Sequence, residues 1–261
     1  MNKPSFFNKA RVARAATLLV LMLLIVLATV FFFWQRENAK PYLYSPNMKT
    51  LLYHLVMDEP YSQYHDLFVR EGDFEAQLLE IKRLGFETYF ADEPERADGK
   101  PGVVITFDDG YIDNYTTVFP LLQKYNMKAT IFLITDMIGT EGHLTKAQIK
   151  EMSESGLVHF GSHTVSHTKL DTLTEYEIQQ EFLHSKEYIE ALIEKPVTAL
   201  AYPNGVYTEK AQTIAMAVGY RYAYTTDMPY DAYYENSRLP RSYVTRDMAY
   251  EDFLKLLELS S

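Results

Sequence analysis

The stretch Val103-Val104-Ile105-Thr106-Phe107-Asp108-Asp109-Gly110-Tyr111 decides the fold. Its first half is an apolar, β-branched run and reads as a strand. Its second half puts two adjacent carboxylates at the strand's carboxyl edge, on an Asp-Gly turn. To either side, strand and helix patterns alternate. Leu51–Val56 reads as a strand. Phe74, Leu78, Ile81 and Leu84 recur at helical spacing, and Gly85 stops that helix. Downstream come a helix at Val118–Tyr125, a strand at Ala129–Ile134, a helix at Thr145–Ser155 and a strand at Leu157–Gly161. The helix Thr174–Glu194 follows, with Thr174 and Glu177 placed as a capping box. Thr198–Tyr202 and Arg221–Thr225 read as strands, Thr208–Val218 and Asp247–Leu259 as helices. Such alternation implies parallel βαβ units, hence an α/β barrel or a doubly wound sheet.

Composition narrows the function. The chain has 261 residues, 47% of them hydrophobic, enough to bury a core. With no cysteine, a disulfide scaffold and thiolate metal ligation are excluded. A net charge of −10 argues against a nucleic-acid partner. That charge is uneven. Residues 1–40 hold six Lys/Arg and one Glu; of the 25 basic and 35 acidic residues, 19 and 34 therefore fall in the remainder. The two parts are expected to face different surroundings.

From Ala15 to Trp34 every residue is apolar or Thr, the 20 residues needed to cross a hydrocarbon core of ~30 Å. Lys3, Lys9, Arg11 and Arg14 precede the run, and Phe31, Phe32, Phe33 and Trp34 close it. This predicts a cytoplasmic basic tail (1–14), one transmembrane helix (15–34), a linker (35–48) broken by Pro41 and Pro46, and an extracellular domain (49–261). A cleaved signal peptide would have a shorter apolar core and a small-residue cleavage site, so an uncleaved cell-membrane anchor is the expectation.

Three polar clusters close predicted strands: Thr106–Tyr111, Ser162-His163-Thr164-Val165-Ser166-His167, and Ala201-Tyr202-Pro203-Asn204-Gly205. In parallel α/β folds such clusters converge on one rim. Alone, Asp-Asp-Gly is an ordinary turn, and two histidines four apart are ordinary surface residues unless a helical turn points them to one side. Together they offer a carboxylate and two imidazoles for a divalent metal, and a second carboxylate to act as base.

In that order the clusters resemble the polysaccharide deacetylases (the NodB-homology, or carbohydrate esterase family 4, enzymes) over residues ~49–245. The resemblance implies a deformed (β/α) barrel and metal-dependent removal of acetyl from N-acetylated sugars. It implies that Asp109, His163 and His167 bind the metal, Zn2+ being usual. It makes Asp108 the general base and places the oxyanion at a backbone N–H near Pro203 and Asn204. Two departures stand out. The family's arginine before the third-motif proline is replaced by Ala201, leaving Arg238 or Arg241 to supply the charge, with Arg241 preferred. The late histidine that supplies the acid is absent, and Tyr53-His54 resembles an element of the poly-N-acetylglucosamine deacetylases in which the histidine is the acid. The implied partner is an N-acetylglucosamine-containing polysaccharide. Peptidoglycan or a wall-polysaccharide linkage sugar, an O-acetyl ester, and a catalytically silent glycan-binding module are the other readings. Tyr111, Tyr230, Tyr233 and Tyr234 are candidates to stack on sugar rings. His65, His143, His159 and His184 read as surface or structural. The acidic domain suits a partly deacetylated, cationic product, and suits simple solubility equally.

Overall fold

A computed structural model of the chain describes residues 48–58, 67–94, 102–227 and 235–257, and before them only Met22. The predicted tail, the transmembrane segment 15–34 and most of the linker lie outside these residues, as do His65, Tyr230, Tyr233 and Tyr234. Among the described residues no helix is long and apolar enough to cross a membrane. The fold belongs to the second of two compact units, Tyr42–Ser261.

Its strands are β1 (Met48–Tyr53), β2 (Leu55–Val56), β3 (Phe68–Val69), β4 (Glu87–Tyr89), β5 (Gly102–Phe107), β6 (Ala129–Leu133), β7 (Val158–Ser162), β8 (Ala199–Ala201), β9 (Tyr222–Tyr224) and β10 (Ser242–Tyr243). Its helices are α1 (Glu71–Arg83), α2 (Phe119–Tyr125), α3 (Lys146–Glu154), α4 (Glu175–Ile193), α5 (Glu209–Val218) and α6 (Tyr250–Leu257). The capping box at Thr174 and Glu177 forms as its spacing predicts, and Thr145 and Gln148 form a second one. Met48, assigned to the linker by its sequence, already opens β1.

Eight strands form a wholly parallel sheet in the order β10-β1-β5-β6-β7-β8-β9, with β4 also on β5. β4 and β6 share one edge of β5: Glu87 pairs with Gly102 at its start, and Phe107 with Ile131 at its end. The segment after β9 touches both borders of the sheet. Leu239 bridges Tyr224, and Ser242 pairs with Leu51. The sheet thus curls into a deformed barrel, as the family resemblance implies, and is not the open doubly wound sheet that the strand–helix alternation also allowed. The three short strands β3, β4 and β10 carry no periodicity long enough to be read from sequence.

Alternation along β5 divides the core. Val103, Ile105 and Phe107 join the cluster beneath the helices with Leu78, Ile131, Ile178 and Phe182. Val104 faces the other way, among Phe132, Ala199, Ala201, Tyr222 and Tyr224. Both faces are buried, so every residue of β5 is.

Candidate active site

The carboxyl end of β5 places Asp108 and Asp109. The Asp108 N–H donates to the Tyr53 carbonyl at 3.1 Å, which locks the strand end to β1. The chain then turns through Asp109 (φ 71°) and Gly110 (φ 75°), in the left-handed region that favours glycine. A side chain at Gly110 would also meet Leu133. Asp109 tolerates its φ as aspartates do, and the turn leaves both carboxylates beside His163 Nε2, with Asp108 Oδ2 and Asp109 Oδ1 each 3.6 Å from it.

The histidines come from the loop after β7. It is not the helical turn that their spacing suggests. Thr164 (φ 68°) and His167 (φ 60°) both take left-handed backbone, which brings the two rings together at 4.7 Å between centroids. Strained backbone held in place by its surroundings is common at functional sites. Here the surroundings are explicit. Glu181 on α4 accepts from the N–H groups of Val165 and Ser166 at 2.8 and 2.9 Å and from the Ser166 hydroxyl at 2.8 Å. The His167 N–H donates to Thr164 Oγ1 at 3.1 Å.

His163 Nε2 lies 3.6 Å from Asp109 Oδ1, and His167 Nε2 lies 3.9 Å from the same oxygen. The three offer one ligand atom each, all within 4.8 Å of one another. Asp109 Oδ1 is buried and has no hydrogen-bond partner. His163 is bonded through Nδ1 to the Ala201 carbonyl at 2.8 Å, so Nδ1 carries the proton and Nε2 presents its lone pair to the cluster. An orphaned buried carboxylate oxygen, two imidazoles and a carbonyl fixing one tautomer fit a divalent cation. Burial pushes the His167 pKa down, as does neighbouring His163, favouring the neutral ligand form.

Asp108 stands next to this cluster with a different partner. Arg241 donates to both its oxygens at 2.7 Å, and both residues are buried. The guanidinium also reaches Thr106 Oγ1 at 3.3 Å and lies 5.3 Å from the Phe132 ring centroid. Burial alone would raise the Asp108 pKa; Arg241 and His163 outweigh it and hold the carboxyl well below the usual range. Arg241 arrives on the segment that closes the barrel, just before β10. Arg238, the other candidate, is exposed. Ala201 is fully buried in the barrel interior and supplies no charge there, so Arg241 is the cation that meets Asp108.

His54 sits at the gap between β1 and β2, half-buried, its ring stacked on Tyr243 at 5.9 Å and 6°. Burial pushes its pKa down, while Asp108 and Asp109 pull the other way, so it lies within electrostatic reach of the cluster. Tyr243 is 40% exposed and gives the rim an aromatic face that the sequence reading missed.

Tyr111 needs correction. Only 9% of it is exposed, and its ring stacks on His143 at 5.0 Å within an apolar group containing Leu55 and Phe68. That face is therefore closed to a sugar. Pro203 is buried and Asn204 is exposed, in a turn where Asn204 takes a φ of 56°. The third motif's visible contribution is instead the Ala201 carbonyl on His163. His143 and His159 are structural, as read: His159 pairs with Asp92 at 2.9 Å and stacks on Phe90, and His184 is exposed.

The barrel rim thus carries a buried carboxylate held by Arg241 beside a cluster whose donor atoms fit a divalent cation. The polysaccharide deacetylase sequence profile matches residues 95–223. The chain is 34% identical over 208 residues to the poly-beta-1,6-N-acetyl-D-glucosamine N-deacetylase of Staphylococcus epidermidis, covering 72% of this chain and 71% of that one. It is 38% identical over 183 residues to a Bacillus subtilis protein named as a polysaccharide deacetylase, covering 68% of this chain and 63% of that one, so it spans less than two thirds of that relative. The crystal structure of a polysaccharide deacetylase from Bacillus cereus superposes with a TM-score of 0.74 at 29% identity, over 81% of this chain and 69% of that one. The chain belongs to the polysaccharide deacetylase family.

Proposed function

We propose that the chain is a membrane-anchored, metal-dependent hydrolase. It removes N-acetyl groups from N-acetylglucosamine units of an extracellular polymer, with a poly-N-acetylglucosamine-like glycan as substrate. The observation that carries this reading is the ionised Asp108–Arg241 pair beside the Asp109, His163 and His167 cluster. The substrate follows from the likeness to the staphylococcal enzyme and from His54 in place of the missing late histidine. The anchor follows from the apolar run Ala15–Trp34.

Asp109, His163 and His167 would hold the cation, zinc being the best match to two imidazoles and a carboxylate. When bound it acidifies a water toward neutrality and polarises the acetamide carbonyl. Asp108, kept ionised by Arg241, takes the proton of the attacking water as the new C–O bond forms. Arg241 fixes the direction of that carboxylate, since a bidentate pair leaves it no freedom to rotate. His54 gives a proton to the sugar nitrogen as the C–N bond breaks, releasing acetate and an amine. Main-chain N–H groups near Pro203 and Asn204 are the proposed oxyanion partners.

The test is acetate release by the zinc-loaded chain from β-1,6- and β-1,4-linked N-acetylglucosamine oligomers and from peptidoglycan with its attached polysaccharide. Release from the β-1,6 oligomer, lost in Asp108→Asn, is expected. Release from peptidoglycan alone would move the substrate to the wall. Zinc binding without release from any would mean a different substrate or an incomplete site, with the arginine missing at Ala201 the first suspect, whereas a glycan-binding module need not hold stoichiometric zinc.

A further inference from the structure

Between β1 and β2 the chain leaves the main sheet for the small β2–β3 pair, and His54 is the residue at that departure. A residue at a strand break has no ladder to fix it. The peptide groups around it are nevertheless tied down. The Tyr53 carbonyl accepts from Asp108, and Leu55 N–H donates to the Leu67 carbonyl at 3.1 Å. The other two ties come from side chains. Asn114 Nδ2 donates to the His54 carbonyl at 3.3 Å, and Asp113 Oδ2 accepts from Val56 N–H at 2.7 Å. Asn114 Nδ2 also reaches Asp113 Oδ2 at 3.3 Å. Both side chains are buried, with 2% and 0% of each residue exposed.

They reach these positions through an uncommon piece of backbone. Asn114–Val118 is a π-helical turn ahead of α2. Such turns are rare, cost stability and gather at functional sites. This one begins four residues beyond Gly110, so the segment that carries Asp108 and Asp109 also carries the two side chains that hold His54. Asp113 Oδ1 and Asn114 Oδ1 are each buried without a hydrogen-bond partner. A pair kept solely for packing would be replaced by apolar residues at less cost.

We propose that Asp113 and Asn114 are positioning residues for the proton-transfer step: they clamp the main chain on both sides of His54 and so set its imidazole against Asp108 and the metal cluster. This rests on the reading of His54 as the acid. Cleaving an amide requires a proton on the departing nitrogen, whereas a nitrophenyl acetate releases a phenolate that leaves without one. The ratio of the two activities therefore reports the acid step separately from metal, base and fold.

The experiment uses the full-length, zinc-loaded chain. It measures kcat and KM on an N-acetylglucosamine oligomer and on 4-nitrophenyl acetate, with zinc content and melting temperature alongside. His54→Ala is expected to lower the amide-to-ester ratio of kcat by at least about a hundredfold. Asn114→Ala and Asp113→Ala are expected to lower it about tenfold, with KM for the oligomer within about twofold and zinc content unchanged. Asp113→Asn retains an acceptor for Val56 N–H and is expected to restore most of that loss. Asn114→Ser takes the place of Asn114→Ala if the latter does not fold. An unchanged ratio in the Asp113→Ala and Asn114 variants, with the ratio reduced in His54→Ala, would overturn the positioning role alone. So would equal loss of both activities. An unchanged ratio in His54→Ala would overturn the acid assignment, and the positioning role with it.

Discussion

Arg241 and Asp108 lie 133 residues apart in sequence and meet in a two-pronged ion pair, 2.7 Å at each contact, with almost no solvent on either side. The pair stands where Ala201 leaves the barrel interior without a cation. Removing the guanidinium takes away the strongest influence holding the buried Asp108 carboxyl down and leaves only His163 and His54 against desolvation, so its pKa climbs. Arg241→Met is expected to lower kcat by about 10–100-fold and to bring an acid-side loss of activity up in pH. Stability should fall by about 3–5 kcal/mol in urea titrations, the cost of breaking a buried pair. Arg241→Lys should not restore it, because an ammonium cannot fill both contacts. A kcat within twofold of the parent would remove Arg241 from the mechanism.

Asp109 Oδ1 is buried without a hydrogen-bond partner and lies 3.6 and 3.9 Å from the Nε2 atoms of His163 and His167, the geometry of a shared cation ligand set. Zinc at a hundred times its dissociation constant should stabilise the fold by about 2.7 kcal/mol. That corresponds to about 5–10 °C in melting temperature for a domain of this size. Chelation should reverse the gain and abolish turnover. Asp109→Ala and His163→Ala should show neither gain nor stoichiometric zinc by atomic absorption. A metal-independent melting curve for the parent would refute the assignment.

Asp108, Asp109, His163 and His167 were legible because each cluster closes an apolar run, and the ends of parallel strands converge. The long helices were legible through spacing and capping residues, as at Thr174 and Glu177. Other features left no mark. The Ala201 carbonyl on His163 is main chain, which any residue supplies. Glu181 reads as a polar position on α4, although it holds the loop of the two histidines. The left-handed turns at Thr164 and His167 run against the preference of both residues, so local propensity points the wrong way. β10 has two residues, too few for any pattern, and Arg241 just before it stands out, with Arg238, only because the family resemblance leaves an arginine missing at Ala201.

Asp113 gives the fold a pH dependence of known sign. Burial pushes its carboxyl up to about 7, against hydrogen bonds from Val56 and Asn114 that favour the ionised form. Folded chain therefore keeps this proton up to about pH 7, while unfolded chain releases it near 3.8. Between those values the native state binds more protons, so the contribution is full below about 3.8 and lost as pH rises through about 7. The displacement corresponds to about 4 kcal/mol at most. Asp113→Asn cannot ionise, so its stability relative to the parent should rise steadily from pH 4 to pH 7 in urea titrations, by a few kcal/mol. A constant difference across that range would mean that Asp113 does not titrate there.

His54 sets the opposite limb of the activity profile. As an acid it works only while protonated, and burial holds its pKa below the ordinary 6.5 despite Asp108 and Asp109. kcat/KM on the amide substrate should therefore decline as pH rises, with its midpoint below that value, while Asp108 remains ionised throughout. Hydrolysis of 4-nitrophenyl acetate needs no such proton and should lack that decline. Tyr243, stacked on the imidazole, shields one face of it from water. Tyr243→Ala admits solvent and should move the midpoint up toward 6.5 as desolvation is relieved. The check is a pair of profiles, parent and Tyr243→Ala, on both substrates between pH 5 and 9. An alkaline decline of the same midpoint on amide and ester would assign that limb to another group and take His54 out of the acid role.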